Sequence, residues 1–265
     1  MKLNIAEPID DSDVNIFPHV LSTNGLNVNS LTFIPPKQKL DPTIRAIFTH
    51  GYTSHKSSIL SWASRLSIAG ISVTIFDLPG HYLGGFNDFQ DFSIFTNETP
   101  ELFMKASQYQ QGLLNQPASK LILGGHSLGA LLSLQAAKLF DIEKYLYLVG
   151  FGMSEQDTTH FFATDFFRKT LNIRKQLVSK HLDPDVVFKW IKDQKQLIDL
   201  KNEKICLISG LDDVVVGENG ADHLASKLEI HNEVHLIKPK RLPHNLPELA
   251  STHIFNHLKS SLSID

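Results

Sequence analysis

The sequence predicts an α/β fold, a mostly parallel central sheet with helices on both faces. Three observations carry that prediction. Short apolar runs of strand length recur along the 265 residues, helix-like segments fall between most of them, and the turn Gly125-His126-Ser127-Leu128-Gly129 joins one such run to one such segment. Alternating strands and helices imply right-handed crossovers, which lay successive strands side by side in one direction and leave the helices to cover the sheet.

In chain order the predicted strands are Leu31–Ile34, Ala46–Thr49, Val73–Phe76, Leu121–Leu123, Tyr145–Val149, Ile205–Ile208 and Val234–Ile237. Each is a short apolar run, the pattern of a strand buried on both faces. The chain before Leu31 reads as irregular, Ala130 to Phe140 reads as an apolar helix, and a last helix is expected from about Pro247. Between Gly150 and Lys204 no strand is predicted, and the stretch far exceeds an ordinary loop, so it needs structure of its own. Its apolar residues, among them Phe161-Phe162, Phe166-Phe167, Val186-Val187-Phe188 and Trp190-Ile191, are mixed with charges in the manner of amphipathic helices. The expected organisation is one domain over residues 1–265 with a helical insertion at about 151–203.

Composition excludes several classes. Hydrophobic residues at 42% and charged residues at 20% are ordinary globular usage, which disfavours disorder and membrane-spanning architectures. No uninterrupted apolar segment is long enough to cross a bilayer. A formal net charge of -3 offers no electrostatic case for nucleic acid. The N-terminal residues turn acidic before an apolar stretch of signal-peptide length appears, so a cytoplasmic location is expected. The single cysteine, Cys206, falls in an apolar strand and reads as packing.

The chemistry is read from the elbow outward. A serine on a sharp strand-to-helix turn has its hydroxyl pushed away from the backbone, and flanking glycines let the chain reverse without collision. Ser127 is therefore the candidate nucleophile, and the helix that follows points its free N–H groups and positive dipole end at the same spot. A serine needs a base and an acid to orient that base. The strand Ile205–Ile208 runs into Ser209-Gly210-Leu211-Asp212-Asp213, which sets two carboxylates just past its carboxyl end, where parallel sheets carry their chemistry. After the strand Val234–Ile237, the loop Lys238 to Asn245 contains His244, the candidate base.

These residues resemble the α/β-hydrolase superfamily, in which the triad follows the order serine, acid, histidine. Ala46 to Thr53 resembles the strand and His-Gly turn that supply the family's first oxyanion donor, which implies the backbone N–H of Tyr52. The second donor by the same resemblance is the N–H of Leu128. Asp77-Leu78-Pro79-Gly80-His81 resembles the family's D-x-P-G-H turn, a loop-shaping element. The family's Gly-x-x-Asp spacing from Gly210 selects Asp213 over Asp212, and the insertion after Gly150 resembles a cap over the nucleophile. Two departures stand out: Arg241-Leu242-Pro243 replaces the usual glycine before the histidine, and Tyr82 replaces the glycine after D-x-P-G-H.

The expected protein is thus a serine hydrolase that cleaves carboxylic esters of small acyl groups through an acyl-enzyme on Ser127, with Asp213 and His244 completing the triad. Thioesterase, amidase, acyltransferase and carbon–carbon bond hydrolase are alternatives on the same residues. A catalytically silent binding protein of the same fold is a reading of another class. The expected partner is a small ester-like substrate, with no cofactor and no metal. His253 and His257 stand four apart, but Ile254-Phe255-Asn256 between them contain no glutamate.

Overall fold

The computed structural model describes residues 13–153 and 165–262. Its strands are β1 (Asn15–Thr23), β2 (Leu26–Ile34), β3 (Asp41–Thr49), β4 (Ile71–Phe76), β5 (Lys120–His126), β6 (Glu143–Val149), β7 (Lys204–Ile208) and β8 (Glu233–Ile237). They form one sheet in the order β1-β2-β4-β3-β5-β6-β7-β8. Pairing is parallel from β4 through β8, and β2 runs antiparallel to both of its neighbours. The helices are α1 (Leu60–Ile68), α2 (Phe92–Leu114), α3 (Leu128–Ala137), α4 (Asp165–Arg174), α5 (Pro184–Gln196), α6 (Gly220–Leu228) and α7 (Ser251–Leu262).

Strand periodicity sorts the helices onto two faces. Leu121 and Leu123 of β5 face a core that also holds Leu102 of α2, Leu132 of α3 and Leu224 of α6. Ile122, between them, points the other way, into a core with Trp62 of α1 and Ile254 of α7. Side chains that alternate across a strand bury both faces only if both are covered, so the apolar runs are the sequence image of a two-sided helical coat.

All seven predicted strands form, and the chain before Leu31 adds one more. The nine residues of β1 pair with β2 from Asn15↔Ile34 to Thr23↔Leu26, around a two-residue turn in which Gly25 takes φ 81°. This edge strand alternates exposed and partly buried positions and carries Pro18, so it has no apolar run to betray it. The Asn24-Gly25 pair was the available signal.

Between β6 and β7 the described insertion is helical, as expected: α4 and α5 joined by two short 3₁₀ turns. The Asp183 side chain accepts the Asp185 N–H, and Pro184 opens α5 where a missing N–H costs nothing. Phe161 and Phe162 lie outside the described residues; Phe166 and Phe167 belong to α4.

Two glycines should respond oppositely to alanine. Gly112 is exposed in α2 with nothing within 4 Å of an added Cβ, so Gly112→Ala should raise stability by about 0.5–1 kcal/mol. At Gly124 in β5, an added Cβ would stand 2.4 Å from the Tyr147 carbonyl oxygen of β6. Gly124→Ala should lower stability by about 1–3 kcal/mol. Urea midpoints at unchanged slope measure both changes.

Candidate active site

Ser127 sits between β5 and α3 at φ 52° and ψ −110°, a conformation that side-chain-bearing residues rarely adopt. Its N–H donates to Val149 O of β6 at 2.8 Å, and its carbonyl accepts Ala130 N–H at 3.0 Å, opening the helix. Two glycines make the turn sterically feasible. A Cβ on Gly129 would lie 2.6 Å from both Thr49 O and His50 O, and one on Gly125 would lie 2.5 Å from the Gly129 carbonyl carbon. The ends of β3 and β5 and the start of α3 therefore meet backbone to backbone, and no side chain fits between them. Ser127 is left partly exposed at the helix N-terminus.

The loop after β3 is held against this elbow. A Cβ on Gly51 would be 3.3 Å from Ser127 Cβ, so the chain entering Tyr52 brushes the serine. His50, fully buried, fixes the loop from below. Its Nε2 accepts the Leu78 N–H at 2.9 Å, which leaves Nδ1 as the donor to Gly51 O at 2.8 Å. Asp77, which opens the D-x-P-G-H turn, accepts the Lys56 N–H at 2.7 Å and pairs with Lys56 Nζ at 2.6 Å. His81, which ends that turn, is buried edge-on to His50 with ring centres 5.2 Å apart. The Tyr52 side chain reaches the other way: its hydroxyl donates to Leu182 O of the insertion at 2.6 Å, and its ring meets Phe188 of α5 at 5.4 Å.

Asp213 and His244 come together from the loops after β7 and β8. His244 Nδ1 stands 2.9 Å from Asp213 Oδ2, and Asp213 Oδ1 accepts the N–H groups of Val215 and Val216, both at 3.0 Å. The carboxylate is buried and fully occupied. The neighbouring Asp212 does something sequence reasoning missed. Its Oδ1 accepts the Leu242 N–H at 2.8 Å, and with Leu211 N–H to Pro239 O at 2.9 Å it zips the acid loop to the histidine loop. Pro243 in place of the family glycine is accommodated because the anchoring donor is the preceding residue, Leu242.

His126 links the halves of the site. Its ring centre is 4.6 Å from that of His244. It is wedged between two glycines, where an added Cβ would reach Nδ1 at 2.7 Å from Gly51 and Nε2 at 2.9 Å from Gly150. Gly150 takes φ 57°, so both conformation and space require glycine there. His126 is buried in that position.

The Tyr147 hydroxyl meets His257 Nδ1 at 2.7 Å, which takes up one of the two histidines spaced four apart. Among the described residues no group of three or more His, Cys, Asp or Glu is arranged to hold a metal ion. No helix among them is long and apolar enough to cross a membrane. Cys206 is buried in β7, and burial pushes its thiol pKa up, away from the reactive thiolate.

Burial holds His50 and His81 at about 3, with the charge of His50 adding to the effect on His81. Burial, then the charge of His244, also holds His126 well below the ordinary value. In the unfolded chain histidine titrates near about 6.5. Folded values below unfolded ones mean that the unfolded chain takes up protons first as pH falls. The stability is complete above about 6.5 and is lost as pH drops from there toward about 3. Within that window each such histidine should cost about 1.4 kcal/mol per pH unit. Urea unfolding at several pH values checks this: His50→Gln should show a shallower acid loss than wild type, and an unchanged slope would refute the assignment.

The model of the alpha/beta hydrolase family matches residues 46–202, more than half of the chain. No curated protein matches it. Solved structures do match, at low identity. XC6422 from Xanthomonas campestris, an α/β serine hydrolase without lid, is 15% identical, covers 97% of this chain and 97% of its own, and gives a TM-score of 0.59. The hyperthermophilic esterase of the archaeon Pyrobaculum calidifontis is 12% identical over 95% of this chain and 87% of its own, with a TM-score of 0.67. Est1E from Butyrivibrio proteoclasticus is 14% identical over 93% of this chain and 99% of its own, with a TM-score of 0.61. At such identities the likeness is one of fold. With the family model spanning the His-Gly turn, the D-x-P-G-H turn and the serine elbow, the chain belongs to the alpha/beta hydrolase family.

Proposed function

We propose that this chain is a serine hydrolase that cleaves carboxylic esters of small acyl groups through an acyl-enzyme on Ser127. The observation that supports it most is the 2.9 Å His244–Asp213 pair at the sheet edge where Ser127 is held in a strained turn. Backbone strain of this kind clusters at functional sites. Because His244 Nδ1 faces Asp213, Nε2 is the nitrogen left to take the serine proton.

In the reaction Ser127 Oγ attacks the ester carbonyl carbon as His244 Nε2 takes its proton. The N–H groups of Tyr52 and Leu128 receive the oxyanion. Collapse of the tetrahedral intermediate breaks the bond to the leaving alcohol, to which His244 returns the proton. Water, deprotonated by the same nitrogen, then attacks the acyl-enzyme and frees the acid. Asp213, fixed by two backbone N–H groups, orients the imidazole and stabilises its protonated form without itself taking the proton. The chain acts as one α/β-hydrolase domain, with residues 151–203 as a cap over this edge.

Ser127→Ala should abolish turnover of p-nitrophenyl acetate and labelling by a fluorophosphonate while leaving the urea midpoint within about 1 kcal/mol of wild type. A wild-type protein that resists the probe would favour a silent binding protein instead.

The two adjacent acids should separate. Asp213→Asn should lower kcat by about 10⁴-fold, since the amide cannot hold the required tautomer. Asp212→Asn, which keeps an oxygen for the Leu242 N–H, should retain activity within about tenfold. The opposite ranking would transfer the role to Asp212.

A further inference from the structure

The loop that carries the proposed oxyanion donor is strained and is held from three sides. Ser54 N–H donates to Gly51 O at 3.2 Å, which closes a four-residue turn, and the third residue of that turn, Thr53, has φ 58°. Turns of this kind favour glycine at that place, because a β-branched residue is strained in a left-handed backbone. Thr53 is also buried, so its conformation is set by packed surroundings. Strain of this sort persists only where the neighbouring structure over-determines it. Two of the holds act on one carbonyl: His50 Nδ1 and Ser54 N–H both donate to Gly51 O. That carbonyl and the Tyr52 N–H belong to one planar trans peptide, so fixing the oxygen aims the N–H to the opposite side.

The third hold comes from the insertion, 130 residues away along the chain. The Tyr52 hydroxyl donates to Leu182 O at 2.6 Å, and burial raises its pKa, which keeps it a donor. The ring lies edge-on to Phe188 at 5.4 Å and to His81 at 5.9 Å. The acceptor is itself fixed. Leu182 N–H donates to Ser179 O at 2.9 Å, Ser179 N–H donates to Gly80 O at 2.7 Å, and Tyr82 N–H donates to Leu177 O at 2.8 Å. A Cβ on Gly80, which takes φ 66°, would stand 2.9 Å from Ser179 Cβ and 3.3 Å from Leu182 Cδ1. Residues 177–182 are thus docked on the D-x-P-G-H turn, and the Leu182 carbonyl does not follow Tyr52 if its loop relaxes.

We propose that the Tyr52 hydroxyl is a latch: through Leu182 O the insertion holds the strained turn at Thr53, and with it the Tyr52 N–H, in the orientation that receives the oxyanion. Tyr52 is then a positioning residue through its side chain, in addition to the donor role of its backbone. This rests on the ester-hydrolase reading given above. The oxyanion contact is made in the transition state and not with the bound ester, so a turn that relaxes loses kcat while KM stays.

Tyr52→Phe removes only the hydroxyl. With p-nitrophenyl acetate its kcat should fall about tenfold or more while KM stays within about threefold, and the acidic limb of kcat/KM against pH, which reads His244, should keep its midpoint. Thr53→Gly separates a latch from a packing contact. Glycine takes a left-handed φ without strain, so the turn has no drive to relax, and in that background loss of the hydroxyl should lower kcat by less than about threefold. Equal losses in the two backgrounds, an unchanged kcat in Tyr52→Phe, a loss confined to KM or a shifted midpoint would each overturn the latch. Amide hydrogen exchange reads the turn without turnover. The Ser54 N–H should exchange about tenfold faster or more in Tyr52→Phe than in wild type, and unchanged exchange also overturns the latch. A wild type that resists fluorophosphonate would instead sink the hydrolase reading, and the exchange rates would still judge the latch by themselves.

Discussion

The site depends first on backbone contact at the elbow. Gly129 abuts Thr49 and His50 so closely that a methyl group would stand 2.6 Å from two carbonyl oxygens, and Gly125 abuts Gly129 in turn. That three-way contact lets the helix α3 start at the sheet edge, holds Ser127 at φ 52°, and brings the Gly51 loop against the serine. Each consequence follows from the absence of side chains. A methyl at either position would push β3 from α3 and relax the strained turn, so the glycines fix the geometry of the whole edge.

Around that contact the histidines divide the work by environment. His50, His81 and His126 are buried, and burial keeps them neutral, so they act as fixed hydrogen-bonding and packing groups. His244 alone of the four is partly exposed, and its Nδ1 meets the Asp213 carboxylate at 2.9 Å. In the proposed mechanism His244 must be able to hold charge, and the Asp213 carboxylate beside it suits that role. Neutral neighbours suit the same proposal, because a second imidazolium 4.6 Å away would oppose one formed on His244.

How much of this was legible in the sequence follows from burial. The seven central strands were readable because both faces are covered, which leaves continuous apolar runs; β1, with one face open and Pro18 at the edge, left only the Asn24-Gly25 turn as a trace. Ser127 was readable because its constraint is local, a turn written in five consecutive residues. His244 was legible from its loop past the last strand, but the choice of Asp213 over Asp212 needed the family resemblance, since nothing local distinguishes them and only the folded loops separate an acid on His244 from one on the Leu242 N–H. The packing of His126 between Gly51 and Gly150 joins residues far apart in the chain and has no signature along it.

Tyr52 is where the loop beside Ser127 and the helical insertion are joined. Its backbone belongs to the rigid loop held by His50 and Gly51, while its side chain is held by the insertion through Leu182 O and Phe188. The same residue therefore offers the proposed oxyanion N–H and fastens the insertion at Leu182 and α5. Displacing the insertion by even an ångström would break a 2.6 Å hydrogen bond or pull on the loop beside Ser127. On the proposed mechanism selectivity and reactivity are coupled through this residue: a substrate that fits against the insertion would also steady the donor its transition state needs, and one that displaces it would lose on both counts.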